Sequence, residues 1–223
     1  QIYATKRDNL GYEDRFYQYK DKIFMLLLGD VYNIPELINE CEDKEYISKE
    51  SSILDICSKL YFRYGSSFIK RLNGQFSLVL RDEKEDILIV AVDRFGLSRP
   101  VYYNVEKNFT YSSHLKTLLN QKTISSTIDM IGLSLFLKYA YIPSPKTIIK
   151  GISKLGPGEM IICRSDELSI IRYIDFKCIQ RQMDEDEAKY EYLQLLSQSI
   201  SRRLCKDNIS PVPIFLSGGL DSS

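Results

Sequence analysis

Gly74-Gln75-Phe76-Ser77-Leu78-Val79-Leu80-Arg81 leads through a charged turn at Lys84-Glu85-Asp86 into Ile87-Leu88-Ile89-Val90-Ala91-Val92. In the first run Phe76, Leu78 and Leu80 alternate with Gln75, Ser77 and Val79. Side chains two apart in a strand share a face, so this spacing predicts a strand with one apolar face. A polar turn and a returning apolar run make an antiparallel hairpin. Upstream, Lys22-Ile23-Phe24-Met25-Leu26-Leu27-Leu28 reads as a buried strand ending at Gly29-Asp30. Val31 to Ile38 turns into a short helix, with Asn33 as its cap and Pro35 in the first turn. Glu40 to Lys49 is a charged link, and residues 1–20 are polar and Tyr-rich. Ser51 to Tyr64 places Ile53, Leu54, Cys57, Leu60, Tyr61 and Tyr64 on one helical face, with Gly65 as the stop. Strand, helix and antiparallel strands in this order predict an α+β sandwich.

Downstream, Asp93-Arg94-Phe95-Gly96 breaks the strand, and Val101-Tyr102-Tyr103 pairs with Phe109-Thr110-Tyr111. Asp129 caps a helix, Met130 to Tyr141, that ends before Pro143. Lys154 to Glu159 turns into Met160-Ile161-Ile162-Cys163, which pairs with Leu168 to Tyr173. A boundary falls near 175–183, dividing the chain into domains over 1–180 and 184–223. Asp184-Glu185-Asp186-Glu187 opens the second as an N-cap with Glu three residues on. Ala188, Tyr192, Leu196 and Ile200 recur every four residues along the helix that follows.

The chain then reaches Ile214-Phe215-Leu216-Ser217-Gly218-Gly219-Leu220-Asp221-Ser222-Ser223. A short apolar strand breaking into paired glycines exposes backbone amides that can approach a ligand closely. Followed by a helix N-terminus, such a turn cradles phosphate. Ser217, Ser222 and Ser223 add hydroxyls, and Asp221 is suited to hold Mg²⁺ between phosphates. An ordinary strand-to-helix turn is the plainer alternative. Strand, double glycine, Asp and flanking Ser in this order favour phosphate binding.

Composition narrows the function. Lys+Arg and Asp+Glu are both 30 in 223 residues, which excludes the electrostatic footprint of a nucleic-acid or anionic-membrane binder. Cysteines 41, 57, 163, 178 and 205 are scattered and never form C-x-x-C, against a disulfide framework or a zinc site and consistent with a reducing cytoplasm. His114 is the one histidine, so a multi-histidine metal site is excluded; beside Ser112 and Ser113 it reads as a surface or helix-start residue. No apolar run approaches the ~18 residues of a spanning helix. The 16 tyrosines are too dispersed for a base-stacking platform. Gln1 in the first position, and a last residue where the phosphate-binding helix should begin, read as the cut ends of a longer enzyme.

Ser217 to Ser223 resembles the SGGxDS pyrophosphate loop of the ATP pyrophosphatases, in the form of the asparagine synthetase branch. The chain from about residue 22 onward is similar to that family in order. Gly29-Asp30-Val31-Tyr32-Asn33 resembles NGEIYN, Leu72-Asn73-Gly74-Gln75-Phe76 resembles LNGMFAF, and Asp93 to Tyr103 resembles DRFGIKPLYY. Tyr141 to Ile148 and Lys154 to Gly158 resemble the link to the synthetase half. The resemblance implies a four-layered α/β/β/α Ntn-type glutaminase domain joined to the first helix, strand and loop of an α/β nucleotide domain. It also implies ATP and Mg²⁺ as cofactors, with Leu216, Ser217, Gly218, Gly219, Asp221, Ser222 and Ser223 at the pyrophosphate and Asp221 at the metal. The implied substrates are a carboxylate acceptor, aspartate in the usual case, and ammonia, an amine or glutamine as nitrogen donor. A homodimer is compatible with it.

The glutaminase chemistry departs from the family pattern. An N-terminal Cys should serve as nucleophile with its own α-amino group as base, and Gln1 has no nucleophilic atom. The oxyanion-binding Asn of the family falls at Leu28, which has no donor. Gly29, Asp30 and Asp93 match the positions that hold the substrate ammonium, and a turn-forming role is the alternative for both aspartates. The expectation is a degenerate glutaminase domain that scaffolds a synthetase. β-Lactam synthetases and lasso-peptide cyclases, which lost the glutaminase step, are the alternative branch, and a non-catalytic scaffold is the reading for residues 1–223 alone. Negligible ATP affinity is expected of that isolated stretch.

Overall fold

The structure, a computed structural model, describes residues 15–19, 22–41, 52–105, 109–121, 124–165, 167–204 and 216–219. Residues 1–14 of the N-terminal polar stretch, the charged link after Cys41, the strand Ile214-Phe215, Cys205 and Asp221-Ser222-Ser223 lie outside these residues. The chain divides into two compact units, residues 1–177 and 178–223.

In the first unit the opening hairpin forms as β3 (Gly74–Asp82) and β4 (Ile87–Val92). They lie at the centre of a six-stranded antiparallel sheet. Its other strands are β1 (Arg15–Tyr19), β2 (Ile23–Val31), β8 (Glu159–Arg164) and β9 (Glu167–Arg172), in the order β1-β2-β3-β4-β8-β9. Strand alternation sorts the side chains between two cores. Met25 and Leu27 from β2, Phe76, Leu78 and Leu80 from β3, and Ile89 and Ala91 from β4 face one way. There they meet α1 (Ile34–Glu40) and α2 (Ile53–Tyr64) through Leu37, Ile56, Cys57 and Leu60. Each fully buried Leu or Phe of this layer contributes about 1.5–3 kcal/mol relative to exposure.

The opposite face, through Val90, Val92 and Ile161, packs against Val101, Tyr103 and Leu155. Tyr103 belongs to β5 (Tyr102–Asn104), the middle strand of a small sheet flanked by β6 (Thr110–Ser112) and β7 (Ser153–Lys154). Tyr102 points the other way, onto Leu118 of α3 (Leu115–Leu119), Ile149 and Ile152. The layers therefore run helix, sheet, sheet, helix, the α+β sandwich that the resemblance implies.

Local chemistry sets the element ends. Ser52 and Asp55 form a reciprocal capping box at α2, with the Asp55 amide donating to Ser52 Oγ at 3.2 Å and the Ser52 amide to Asp55 Oδ2 at 3.0 Å. Asp129 Oδ1 accepts from the amides of Ile131 (2.9 Å) and Gly132 (3.3 Å) at the start of α4 (Met130–Tyr139). That helix stops two residues before the expected Tyr141, because Ala140 turns left-handed at φ 60°. β2, expected to end at Gly29-Asp30, continues to Val31, pairing Gly29 with Phe76 and Val31 with Gly74. Gly29 makes this possible at φ +94°, where a Cβ would stand 2.2 Å from the Gln75 carbonyl oxygen. Asn33 precedes α1 without capping it. Its side chain instead donates to Arg71 O (2.9 Å) and accepts from the Asn73 amide (2.8 Å).

In the second unit, α5 (Glu185–Leu204) starts at Asp184, whose Oδ1 accepts from the Glu187 amide at 2.8 Å. No described residue of α5 is buried, and Tyr192, Leu196 and Ile200 all stand exposed.

Candidate functional site

Across β3, Ser77 pairs with Leu28 on one side and Val92 on the other, which sets Leu28, Gly29 and Asp93 towards the same end of the sheet although 65 positions separate Leu28 from Asp93 in the chain. Asp93 is completely buried, and both of its carboxylate oxygens are occupied. Oδ1 accepts from the amides of Phe95 (2.9 Å) and Leu97 (3.2 Å), and Oδ2 from those of Ser98 (3.0 Å) and Phe76 (3.3 Å). Such bonds to a carboxylate are stronger than those between neutral groups, and here they wrap residues 94–98 around one side chain. The Asp93 amide donates to Phe76 O at 2.8 Å, joining the loop to β3. Ser98 Oγ donates to Leu28 O at 3.4 Å, and Ser77 Oγ to Arg99 O at 2.6 Å.

Leu28 is half-buried opposite Ser77 on β3, and its side chain offers no hydrogen. Asp30, also half-buried, lies within the extended β2 and pairs with Gln75. Cys41 and Cys57 sit in the core beneath the helices. Burial pushes the Cys57 thiol up to about 12 and raises that of Cys41 as well, so neither supplies a thiolate nucleophile at neutral pH. His114 stands exposed before α3, its Nδ1 3.0 Å from Ser113 Oγ. Among the described residues no cluster of His, Cys, Asp and Glu could hold a metal ion, and no helix is long and apolar enough to cross a membrane.

Of the phosphate-loop residues, Leu216 is 70% exposed and Gly218 is left-handed at φ +73° with open space around it. The Gly219 amide lies 3.4 Å from Ser217 Oγ. Asp221, Ser222 and Ser223 lie outside the described residues.

Two contributors to the corner were not singled out from the sequence. Ser98 ties the loop to β2. Tyr173, only 5% exposed, donates its hydroxyl to Val92 O at 2.6 Å. Both bonds join segments at least 70 positions apart, and no local pattern announces either.

A sequence profile of the glutamine amidotransferase domain matches residues 9–174. Asparagine synthetase [glutamine-hydrolyzing] 3 of Bacillus subtilis (strain 168) is 29% identical over 208 residues, 92% of this chain and 33% of that protein. Asparagine synthetase [glutamine-hydrolyzing] 1 of the same organism is 27% identical, over 96% of this chain and 33% of its own length. Amidase chry2 of Gibberella zeae is 29% identical, over 93% of this chain and 31% of its own. The chain thus spans about a third of the length of these relatives. Among solved structures, glutamine phosphoribosylpyrophosphate amidotransferase from B. subtilis aligns with a TM-score of 0.44 at 18% identity. The alignment covers 78% of this chain and 34% of that one.

Proposed function

The chain belongs to the glutamine amidotransferase domain family, and from that premise we propose that it is part of a longer, asparagine synthetase-like ligase in which the glutamine-hydrolysing step is lost. The overall reaction is amide formation: a carboxylate, aspartate in the usual case, is adenylated with release of pyrophosphate, and a nitrogen nucleophile then displaces AMP. Residues up to about 180 form the amidotransferase-type domain, and those from 184 open the nucleotide-binding one. Mg²⁺-bound ATP supplies the adenylyl group that activates the carboxylate. Ser217, Gly218, Gly219, Ser222 and Ser223 would hold the pyrophosphate, and Asp221 would hold the Mg²⁺.

The observation that carries the loss of glutaminase activity is Leu28. An oxyanion needs a hydrogen-bond donor at the point where charge develops, and removing one such donor costs ~10²–10³ in rate. The state of Asp93 supports the same reading. Four backbone amides already bond the Asp93 carboxylate, a structural role that accounts for its burial without a substrate ammonium, and Gly29, Asp30 and Asp93 would then be a remnant of the glutamine pocket.

The longer protein should therefore make its amide from free ammonia and release no glutamate from glutamine. A coupled glutamate assay checks this, and hydrolysis within tenfold of an active amidotransferase overturns the reading. Leu28 equally favours a second possibility, a ring-closing ligase whose amine lies on the substrate itself. Failure of free aspartate and ammonia to elicit pyrophosphate release would select that branch.

A further inference from the structure

The loop that surrounds Asp93 is wired to the segment by which the chain leaves the first unit. Asp93 O accepts the Gly158 amide at 2.9 Å, and Gly158 O accepts the Tyr173 amide at 2.8 Å. The Tyr173 hydroxyl closes the circuit on Val92 O, next to Asp93. Gly158 sits at φ +65°, and a Cβ there would press on the Ile174 side chain at 3.2 Å. Gly96, at φ +64°, lies against Pro157 of the same turn. Outside this ladder, the rings of Phe95 and Phe176 stand 5.3 Å apart between centroids, although both are more than half exposed. The loop is thus held on one side by the Asp93 carboxylate and on the other by residues 173–176, a few positions before the unit ends at Lys177.

We propose that the Asp93 loop and the exit segment Tyr173–Lys177 form one mechanical element, coupled through Gly158 and the Phe95–Phe176 contact. Any rearrangement of residues 94–98 is then transmitted to the start of the chain that leads into the second unit. Coupling of this kind needs a contiguous network whose members open together. Four hydrogen-bonded or packed links converging on Tyr173, Ile174 and Phe176 supply one. Displacement of the loop carries the Asp93 backbone with it, and Gly158 passes that motion on, because its amide holds Asp93 O and its carbonyl holds the Tyr173 amide. The coupling is internal to the first unit and needs no ligand, so it stands or falls separately from the lost glutaminase step.

Amide hydrogen exchange on the whole chain tests it, since exchange reports which residues open as one unit. Tyr173→Phe removes the hydroxyl while keeping the ring. Exchange at the Phe95, Leu97 and Ser98 amides should rise at least tenfold, together with residues 174–177, while the Gly132 amide stays unchanged. Faster exchange at 174–177 with the loop amides unmoved overturns the proposal, as does an equal rise at Gly132. If that variant fails to fold, Phe95→Ala decides from the surface. Exchange at 174–177 should then rise at least threefold, and no change there refutes the coupling.

Discussion

Asp93 shows how a single side chain can organise a loop. Its two oxygens gather four amides from two stretches of chain. Asn in its place would keep one acceptor oxygen and turn an NH₂ group towards two N–H donors. Buried donors left without acceptors cost about 1–3 kcal/mol each when nothing replaces the bond. Asp93→Asn should therefore destabilise the first unit by about 2–4 kcal/mol in urea unfolding, and a change below about 0.5 kcal/mol would show that the loop does not depend on the carboxylate. From sequence alone Asp93 stood equally for a ligand-binding group and a turn former. The folded chain shows its oxygens filled by backbone, a fact that depends on Phe76 arriving from the neighbouring strand.

At the scale of elements, strand alternation and the caps at Asp129 and Asp184 were legible because they act over three or four residues. Asn33, expected to cap α1, is drawn instead to Arg71 and Asn73. The Asp129 cap lies where its side chain predicts, and β3 faces its core with Phe76, Leu78 and Leu80, whereas the reciprocal Ser52–Asp55 box emerges only in the folded chain. The ends of β2 and α4 were not legible, since each depends on a backbone conformation at Gly29 or Ala140 that a one-dimensional pattern leaves open. Asp129 also carries a pH dependence. Burial alone would push its carboxyl up, but the Ile131 and Gly132 amides and Lys146, 3.5 Å away, outweigh it and hold the group below its ordinary 3.8. A depressed carboxyl stabilises the fold above its unfolded value and loses that contribution as pH falls through the lower folded value. Protection of the Gly132 amide should accordingly decline below pH 3.8 in the native chain. In Asp129→Asn it should be flat over the same range, and NMR exchange measurements compare the two.

Across the whole molecule, large apolar side chains remain on the surface of both units. In α4, Met130 is 69% and Leu137 76% exposed, and in α5 Leu193 is 61% exposed. Equal numbers of acidic and basic residues leave no net charge near neutral pH to keep copies apart. Exposed apolar patches under those conditions promote association. The 223-residue chain should sediment with a mass that rises with concentration, and Leu137→Lys combined with Leu193→Lys should restore a monomer. A native chain that stays monomeric at high concentration would contradict this.

The amino-acid sequence by itself determined the α+β class, the central hairpin, the long helices and the family motifs, because alternation and turn chemistry are local, while β1 and β7 carry no such local pattern. It also determined that position 28 offers no hydrogen-bond donor, which follows from leucine wherever it is placed. Only the tertiary structure decided that Asp93 is spent on four amides, that Cys41 and Cys57 are sealed in a core, and that Tyr173 ties the exit segment to the site loop. Those outcomes depend on contacts between segments brought together from distant positions in the chain, whose free energy is settled by packing rather than by any residue's neighbours in sequence.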